Sequence, residues 1–344
     1  MSTLRVAQWA TGNIGTRSLK GIIEHPHLEL VGVYVHSTEK AGKDAGELCG
    51  LPDAGVIATN ELDAILAAAP DCVLYMPRAC DYDEVTALLS SGINVVTSRG
   101  EFHRPASMDP STRAQVEAAC AQGGTSIHST GSSPGFITEA LPIVVTSIQR
   151  RLDALRIEEF ADMSQRDSPG LLFEVMGFGQ PLGEIDPRRL SHGLVSFGPS
   201  LEALADALGM PLDGLEASGA FAAARTTTQI AAGTLQAGTV AGQRTVVTGL
   251  RGGRPVLEFR ATWYCTTDLD PEWDLRDTGW RVQVEGDAPL DIDLKFPVPL
   301  DRMAEVSPGY TANRAVNAVA PVCAAAPGIL TTVDLGQVVA DLSG

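Results

Sequence analysis

The chain of 344 residues has room for two domains, and a hydrophobic fraction of 44% supplies a core for each. Its 42 acidic against 25 basic residues leave a formal charge of −17, which argues against a broad nucleic-acid surface, since phosphate requires a basic face. Six cysteines, at 49, 72, 80, 120, 265 and 323, form neither a C-x-x-C pair nor a zinc-spaced Cys/His cluster, so reduced, mostly buried thiols and no metal site are expected.

The chain opens with a strand pattern over 4–9 that runs into Ala10-Thr11-Gly12-Asn13-Ile14-Gly15 and then a helical pattern over 16–24. A strand, a tight glycine turn and a helix begin a dinucleotide fold: glycine lets the backbone approach a pyrophosphate, and the helix N-terminus stabilises its charge. The motif reads A-x-G-x-x-G, with Ala10 where the first glycine usually stands. Thr11, Gly12, Asn13, Ile14 and Gly15 are therefore cofactor-binding candidates.

Further strand patterns at 28–35, 72–76, 93–97 and 125–128 alternate with helical ones at 61–68, 82–91 and 111–122. Such alternation predicts a doubly wound parallel sheet, an α/β Rossmann domain. Asp81 is placed to cap the third helix, and Asp109-Pro110 to start the fourth. Ligands of such sheets gather at the carboxyl ends of the strands. The second strand ends Val35-His36-Ser37-Thr38-Glu39-Lys40, with no acid at its tip. His36, Ser37, Thr38 and Lys40 suit a 2′-phosphate, which favours NADP, while Glu39 keeps NAD open; alternatively Glu39, Lys40 and Lys43 form a solvated charged loop. Met76, Pro77 and Arg78, and Ser98 after the next strand, join the cofactor candidates.

Beyond Gly131-Ser132-Ser133-Pro134-Gly135-Phe136 the texture changes. A helix is expected over 137–150, then strands at 155–161, 221–231, 239–251, 255–266, 280–285 and 290–296, several alternating polar and apolar residues as in a sheet with one covered face. The stretch 181–211, rich in glycine and proline, reads as loop, and a last helix over 311–319 is expected to return to the first domain. The expected domains are 1–135 with about 305–344, binding dinucleotide, and 136–304, an α+β domain for substrate binding and oligomerisation. The N-terminus lacks a basic region followed by an apolar stretch, and no run approaches the ~18 apolar residues of a membrane span, so cytoplasm is the expected location.

V-A-Q-W-A-T-G-N-I-G, Y-M-P-R, N-V-V-T-S with a glutamate three residues on, S-P-G-F and A-N-R-A-V-N-A-V together resemble one family along essentially the whole chain. It comprises the NAD(P)H-dependent proteins related to dihydrodipicolinate reductase that include 2,4-diaminopentanoate dehydrogenase and the native amine dehydrogenases. The resemblance implies a second domain like the C-terminal domain of dihydrodipicolinate reductase. It also implies reversible hydride transfer between NADPH and an imine formed from a carbonyl compound and ammonia. A glutamate after the fifth strand lies beside the nicotinamide in that family, and Glu101 is the matching position. A carboxylate there stabilises ammonium or iminium and exchanges protons as the carbinolamine loses water; partial burial would ease that exchange, whereas a loop carboxylate would merely pair with Arg99 or Arg104.

His103 is a further candidate in the same loop, weighed against a solvated surface histidine, and His192 resembles a pocket histidine of the family. Phe136, Phe173, Met176 and Phe178 are substrate-wall candidates, although at helical spacing Phe173 and Met176 more often belong to a core. Asn313, taken as the start of the last helix, is placed for the nicotinamide carboxamide or for closing the cleft. Ser164-Gln165-Arg166-Asp167-Ser168-Pro169-Gly170 lacks the histidine pair, lysine and D-A-P-S-G-T-A-like helix start of dihydrodipicolinate reductase itself, which argues against lysine-pathway reduction. The expected partners are an amine or carbonyl substrate, ammonia and a second copy in a homodimer, without nucleic acid or membrane. A dehydrogenase for a hydroxyl or carbon-carbon double bond, and a non-catalytic dinucleotide sensor, are the competing readings.

Overall fold

The computed structural model describes residues 3–183 and 186–341. The chain divides into two compact units, one running to Phe136 and resuming at Ser307, the other Ile137–Val306. In the first, β1 (Leu4–Trp9), β2 (Leu28–Tyr34), β3 (Cys72–Tyr75), β4 (Asn94–Thr97) and β5 (Ser126–Ser129) form a parallel sheet in the order β2–β1–β3–β4–β5. The helices are α1 (Asn13–Glu24), α2 (Ala45–Cys49), α3 (Leu62–Ala68), α4 (Tyr82–Ser90) and α5 (Pro110–Gly123).

Capping follows the sequence. Asp81 accepts from the amides of Asp83 and Glu84, and Asp109 from those of Ser111 and Thr112, with Pro110 in the first turn. Helix α2 was not expected, because five residues carry no periodicity; Asp44 caps it by accepting from Gly46, and left-handed Gly50 ends it. Alternate strand residues face opposite layers. Ala7, Trp9, Val73, Tyr75 and Val95 pack with Val85 and Leu88 of α4 and Val116 of α5.

The second unit holds α6 (Leu141–Thr146), β6 (Leu152–Asp162), α7 (Pro187–Ala207), β7 (Gly214–Ala224), β8 (Thr228–Ile230), β9 (Gly233–Leu235), β10 (Val240–Arg251), β11 (Arg254–Tyr264), β12 (Leu269–Asp270), β13 (Gly279–Gly286) and β14 (Leu290–Lys295). Seven of these strands make one mixed sheet, β12–β7–β10–β11–β6–β13–β14, and β8 and β9 form a hairpin. Helix α7 lies on one face of the large sheet, where Phe197 stacks on Phe259 with centroids 4.0 Å apart.

That helix corrects the loop expected over 181–211. Its glycines serve close packing: a Cβ on Gly193 would lie 3.0 Å from Thr245 Cγ2, and one on Gly198 2.8 Å from Leu215 Cδ1. Pro187 occupies the first turn, where no amide is needed, behind Asp186, which accepts from Arg188. The helix expected over 137–150 ends early, at Thr146, where the chain turns toward β6; before α6 the backbone is helical from Phe136, after extended Ser133 and Pro134 and left-handed Gly135. The strand expected over 221–231 is two: β7 starts earlier, in a Gly/Ala/Ser run of weak strand character, and β8 belongs to the hairpin.

The chain returns as α8 (Leu300–Ala324) and β15 (Gly328–Leu330), which pairs beside β5 and extends the first sheet to six strands. Ala315, Val316 and Val319 of α8, with Ile22 of α1, cover Val6, Cys72, Leu74 and Val96, so helices occupy both faces of the parallel sheet. No helix among the described residues is long and apolar enough to cross a membrane.

The other face of the large sheet carries paired charges. Glu158, with a side chain 6% exposed, meets Arg260 at 3.1 Å and Arg281 at 3.5 Å; Arg260 also reaches Glu258 at 2.7 Å, and Arg281 reaches Asp291 at 2.6 Å. Removing the central carboxylate takes one partner from each arginine and leaves them Glu258 and Asp291. Glu158→Ala should therefore cost about 1–2 kcal/mol, read as a lower urea midpoint, and an unchanged midpoint would refute this view of the network.

Candidate active site

The end of β1 is bonded to the ends of both neighbouring strands, the Ala10 amide donating to the Tyr34 carbonyl and the Met76 amide to the Trp9 carbonyl. Gln8, buried in the sheet, donates from Nε2 to the carbonyls of Ala10 (2.9 Å), Trp9 (3.1 Å) and Leu74 (3.3 Å), while Ser18 Oγ donates to its Oε1 at 2.7 Å. Ala10 takes φ 67, the left-handed conformation that favours glycine, which explains why a glycine is usual here. A Cβ on Gly15 would lie 2.1 Å from the Ala10 carbonyl oxygen, so glycine is obligatory there. A Cβ on Gly12 would meet nothing within 4 Å, and no side chain caps α1. The first-turn amides of Asn13 and Ile14 thus border open space, which suits a pyrophosphate.

After β2, His36, Thr38 and Glu39 are exposed and Ser37 is half-buried. Lys40 does not extend into solvent: its ammonium donates to the Thr11 carbonyl at 2.8 Å and to Thr11 Oγ1 at 3.1 Å, which places its charge on the glycine turn. After β3, Met76 packs into the core cluster with Val96 and Val316, Pro77 is buried, and Arg78 is exposed.

The strand before Glu101 is β4, the fourth in the chain and not the fifth. Thr97 at its end donates to the Tyr75 carbonyl at 2.6 Å and accepts from the Arg99 amide at 3.1 Å. Ser98 is half-buried. Glu101 sits in a short helical turn, Gly100–Phe102, anchored by fully buried Phe102 against Tyr82. Its Oε1 accepts from Arg99 Nη2 at 2.7 Å, while Oε2 is buried without a hydrogen-bond partner. Arg99 Nη1 donates to the Arg78 carbonyl at 2.7 Å. Desolvation pulls the Arg99 guanidinium down, and the hydrogen bond and charge of Glu101 outweigh it, holding the pKa above its usual value. Nearby, burial and then the charge of Glu101 push the Cys80 thiol up to about 12, so it stays protonated at neutral pH. His103, expected at the surface, is 2% exposed.

After β5, Ser132 Oγ and Thr311 Oγ1 share a hydrogen bond of 2.8 Å, which ties this loop to α8. Asn313, two residues on, is exposed in the middle of α8 and not at its start. Phe136, half-buried, ends the first stretch of this unit. Phe173 and Met176 pack against the second unit's core of Leu172, Phe178, Leu235 and Tyr264. His192 is exposed on α7 and not in a loop.

The sequence reading missed Gln8, whose polar side chain inside an apolar strand was the available signal, and it treated Arg99 only as a neutralising partner. The open space at Gly12 and the uncapped α1 fit the pyrophosphate of a nicotinamide dinucleotide, and Oε2 of Glu101 is an acceptor left open on a loop at the same edge of the sheet.

Two family models match the chain: dihydrodipicolinate reductase, N-terminus, over 9–103, and 2,4-diaminopentanoate dehydrogenase C-terminal domain, over 178–343. An amine dehydrogenase of Streptomyces virginiae is 29% identical over 341 residues, covering 95% of this chain and 94% of that protein. A 2,4-diaminopentanoate dehydrogenase of Acetoanaerobium sticklandii is 24% identical over 62% of each chain. The solved structure of the amine dehydrogenase from Mycobacterium smegmatis superposes with a TM-score of 0.76 at 20% identity, covering 99% of this chain and 98% of that one, which shows the shared fold.

The β1–α1 approach gives a direct test. Gly15→Ala should weaken NADPH binding at least about tenfold, since the α1 N-terminus must move away from the turn, whereas Ala10→Gly should leave binding intact. Titration of each variant measures this, and unaltered affinity in Gly15→Ala would refute the geometry.

Proposed function

We infer that this chain, a member of the family of NAD(P)H-dependent oxidoreductases that includes 2,4-diaminopentanoate dehydrogenase and the amine dehydrogenases, interconverts a primary amine with a carbonyl compound and ammonia. The observation that carries the reading is Glu101 Oε2, a buried carboxylate oxygen with no partner, on a loop at the carboxyl edge of the dinucleotide-binding sheet. An unsatisfied buried acceptor is costly, and an ammonium or iminium N–H supplies what it lacks.

In the aminating direction, Glu101 takes a proton from ammonium, and the freed ammonia attacks the carbonyl carbon. A proton passes from the nitrogen of the adduct to its alkoxide, giving the neutral carbinolamine, and the same carboxyl then donates its proton to the carbinolamine hydroxyl, which leaves as water. The carboxylate then faces the iminium nitrogen and stabilises its charge as the carbon is reduced. A bound NAD(P)H supplies the hydride.

The same reading takes NADP as the preferred cofactor, because the tip of β2 offers His36, Ser37 and Thr38 where an acid would select NAD, and Lys40 adds positive charge beside the glycine turn. It also takes a homodimer as the working form.

Glu101→Gln should lower turnover at least about a hundredfold, as expected for loss of a general acid/base, while NADPH binding is unchanged. Undiminished turnover would overturn the assignment. Ser37→Asp should shift the NADPH-to-NADH ratio of kcat/KM toward NADH by about tenfold, and an unmoved ratio would locate cofactor choice elsewhere.

A further inference from the structure

We propose that Arg99 is a positioning residue for this reaction, one that holds the Glu101 carboxylate in a single orientation by occupying Oε1, so that Oε2 alone takes the proton from ammonium and returns it to the carbinolamine oxygen. The proposal rests on the acid/base reading of Glu101.

A glutamate in a loop turns freely about its last torsion, and its two oxygens are equivalent unless something distinguishes them. Here the distinction is complete: Oε1 takes a guanidinium N–H at 2.7 Å, and Oε2 takes nothing from the protein. The guanidinium is itself fixed, because its other terminal nitrogen donates to the Arg78 carbonyl at 2.7 Å. The backbone of Arg99 is pinned on both sides, its amide donating to Thr97 Oγ1 and its carbonyl accepting from Ser129 Oγ. The chain Glu101–Arg99–Arg78 thus joins the loop after β4 to the loop after β3, and the carboxylate is oriented against backbone at the end of a neighbouring strand. Lysine, with one compact ammonium in place of a planar fork, reproduces the charge without the two fixed directions.

Magnitude separates this role from a structural one. The two side chains are 30% and 29% exposed, and partly solvated pairs of this kind contribute little to stability. Loss of the pair should therefore appear in catalysis and not in folding, as expected where a small displacement of a catalytic group costs about a hundredfold in rate.

The test is a double-mutant cycle of Arg99→Gln, Glu101→Gln and the double variant. NADPH reactions are followed under single turnover so that slow variants stay measurable, with NADPH affinity and thermal midpoint recorded for each. Arg99→Gln is expected to lower the rate of the chemical step about ten- to a hundredfold in the parent, and by less than about twofold in the Glu101→Gln background, with NADPH affinity unchanged. Arg99→Lys should recover only part of the loss. An equal loss in both backgrounds would overturn the proposal by showing that Arg99 merely shapes the loop, and so would an Arg99→Gln variant as fast as the parent. A Glu101→Gln enzyme with parental turnover would remove the acid/base reading and this proposal together. An inactive Glu101→Gln with a silent or additive Arg99→Gln would remove the proposal alone.

Discussion

The approach of helix α1 to the end of β1 is the constraint on which the rest depends. Gly15 lies so close to the Ala10 carbonyl that no side chain fits between them, and Ala10 reaches that position only in a left-handed conformation. For an alanine this costs about 1–2 kcal/mol. Gln8 offsets it from below, with a buried amide donating to the Ala10, Trp9 and Leu74 carbonyls, each such bond contributing about 1 kcal/mol. The same strand end accepts the Met76 amide on one side and offers the Ala10 amide to Tyr34 on the other. A displacement of the turn would therefore carry the loops after β2 and β3 with it.

Those loops set the chemistry by leaving particular groups unsatisfied. Most polar atoms of the edge are spoken for within the protein: Lys40 by Thr11, Thr97 by Tyr75, Arg99 by Arg78 and Glu101. Among the groups left open are the first turn of α1 and one oxygen of the Glu101 carboxylate. An anion suits the former and a cationic nitrogen the latter, and a dinucleotide with an amine or ammonium supplies both. The second unit meets its charges differently, pairing the carboxylate of Glu158 with two arginines on the sheet face away from α7.

The first unit was legible because most of its elements carry a local signal: short apolar strands, aspartate caps at 81 and 109, a glycine turn after β1. Legibility failed where tertiary contacts override local preference. Gly193 and Gly198 read as loop residues, yet they are small because α7 rides directly on β7 and β10. The helical pattern over 311–319 puts Asn313 near a helix start, whereas α8 begins at Leu300 and runs through Pro308. Loop position suggested a solvated His103, and the packing of the turn that follows β4 buries it. Glu101 itself was found through family resemblance; its discriminating feature, one oxygen held and one free, depends on where Arg99 folds back, which no spacing encodes.

The central claim is that a nitrogen, supplied by ammonia, enters the bond that is reduced. The most direct measurement is the rate of NADPH oxidation with a panel of aldehydes and ketones, with and without ammonium, the amine product being identified by mass. The account predicts consumption that requires ammonium and yields one equivalent of primary amine per NADPH. Equal rates without ammonium, giving an alcohol or a saturated product, would contradict it.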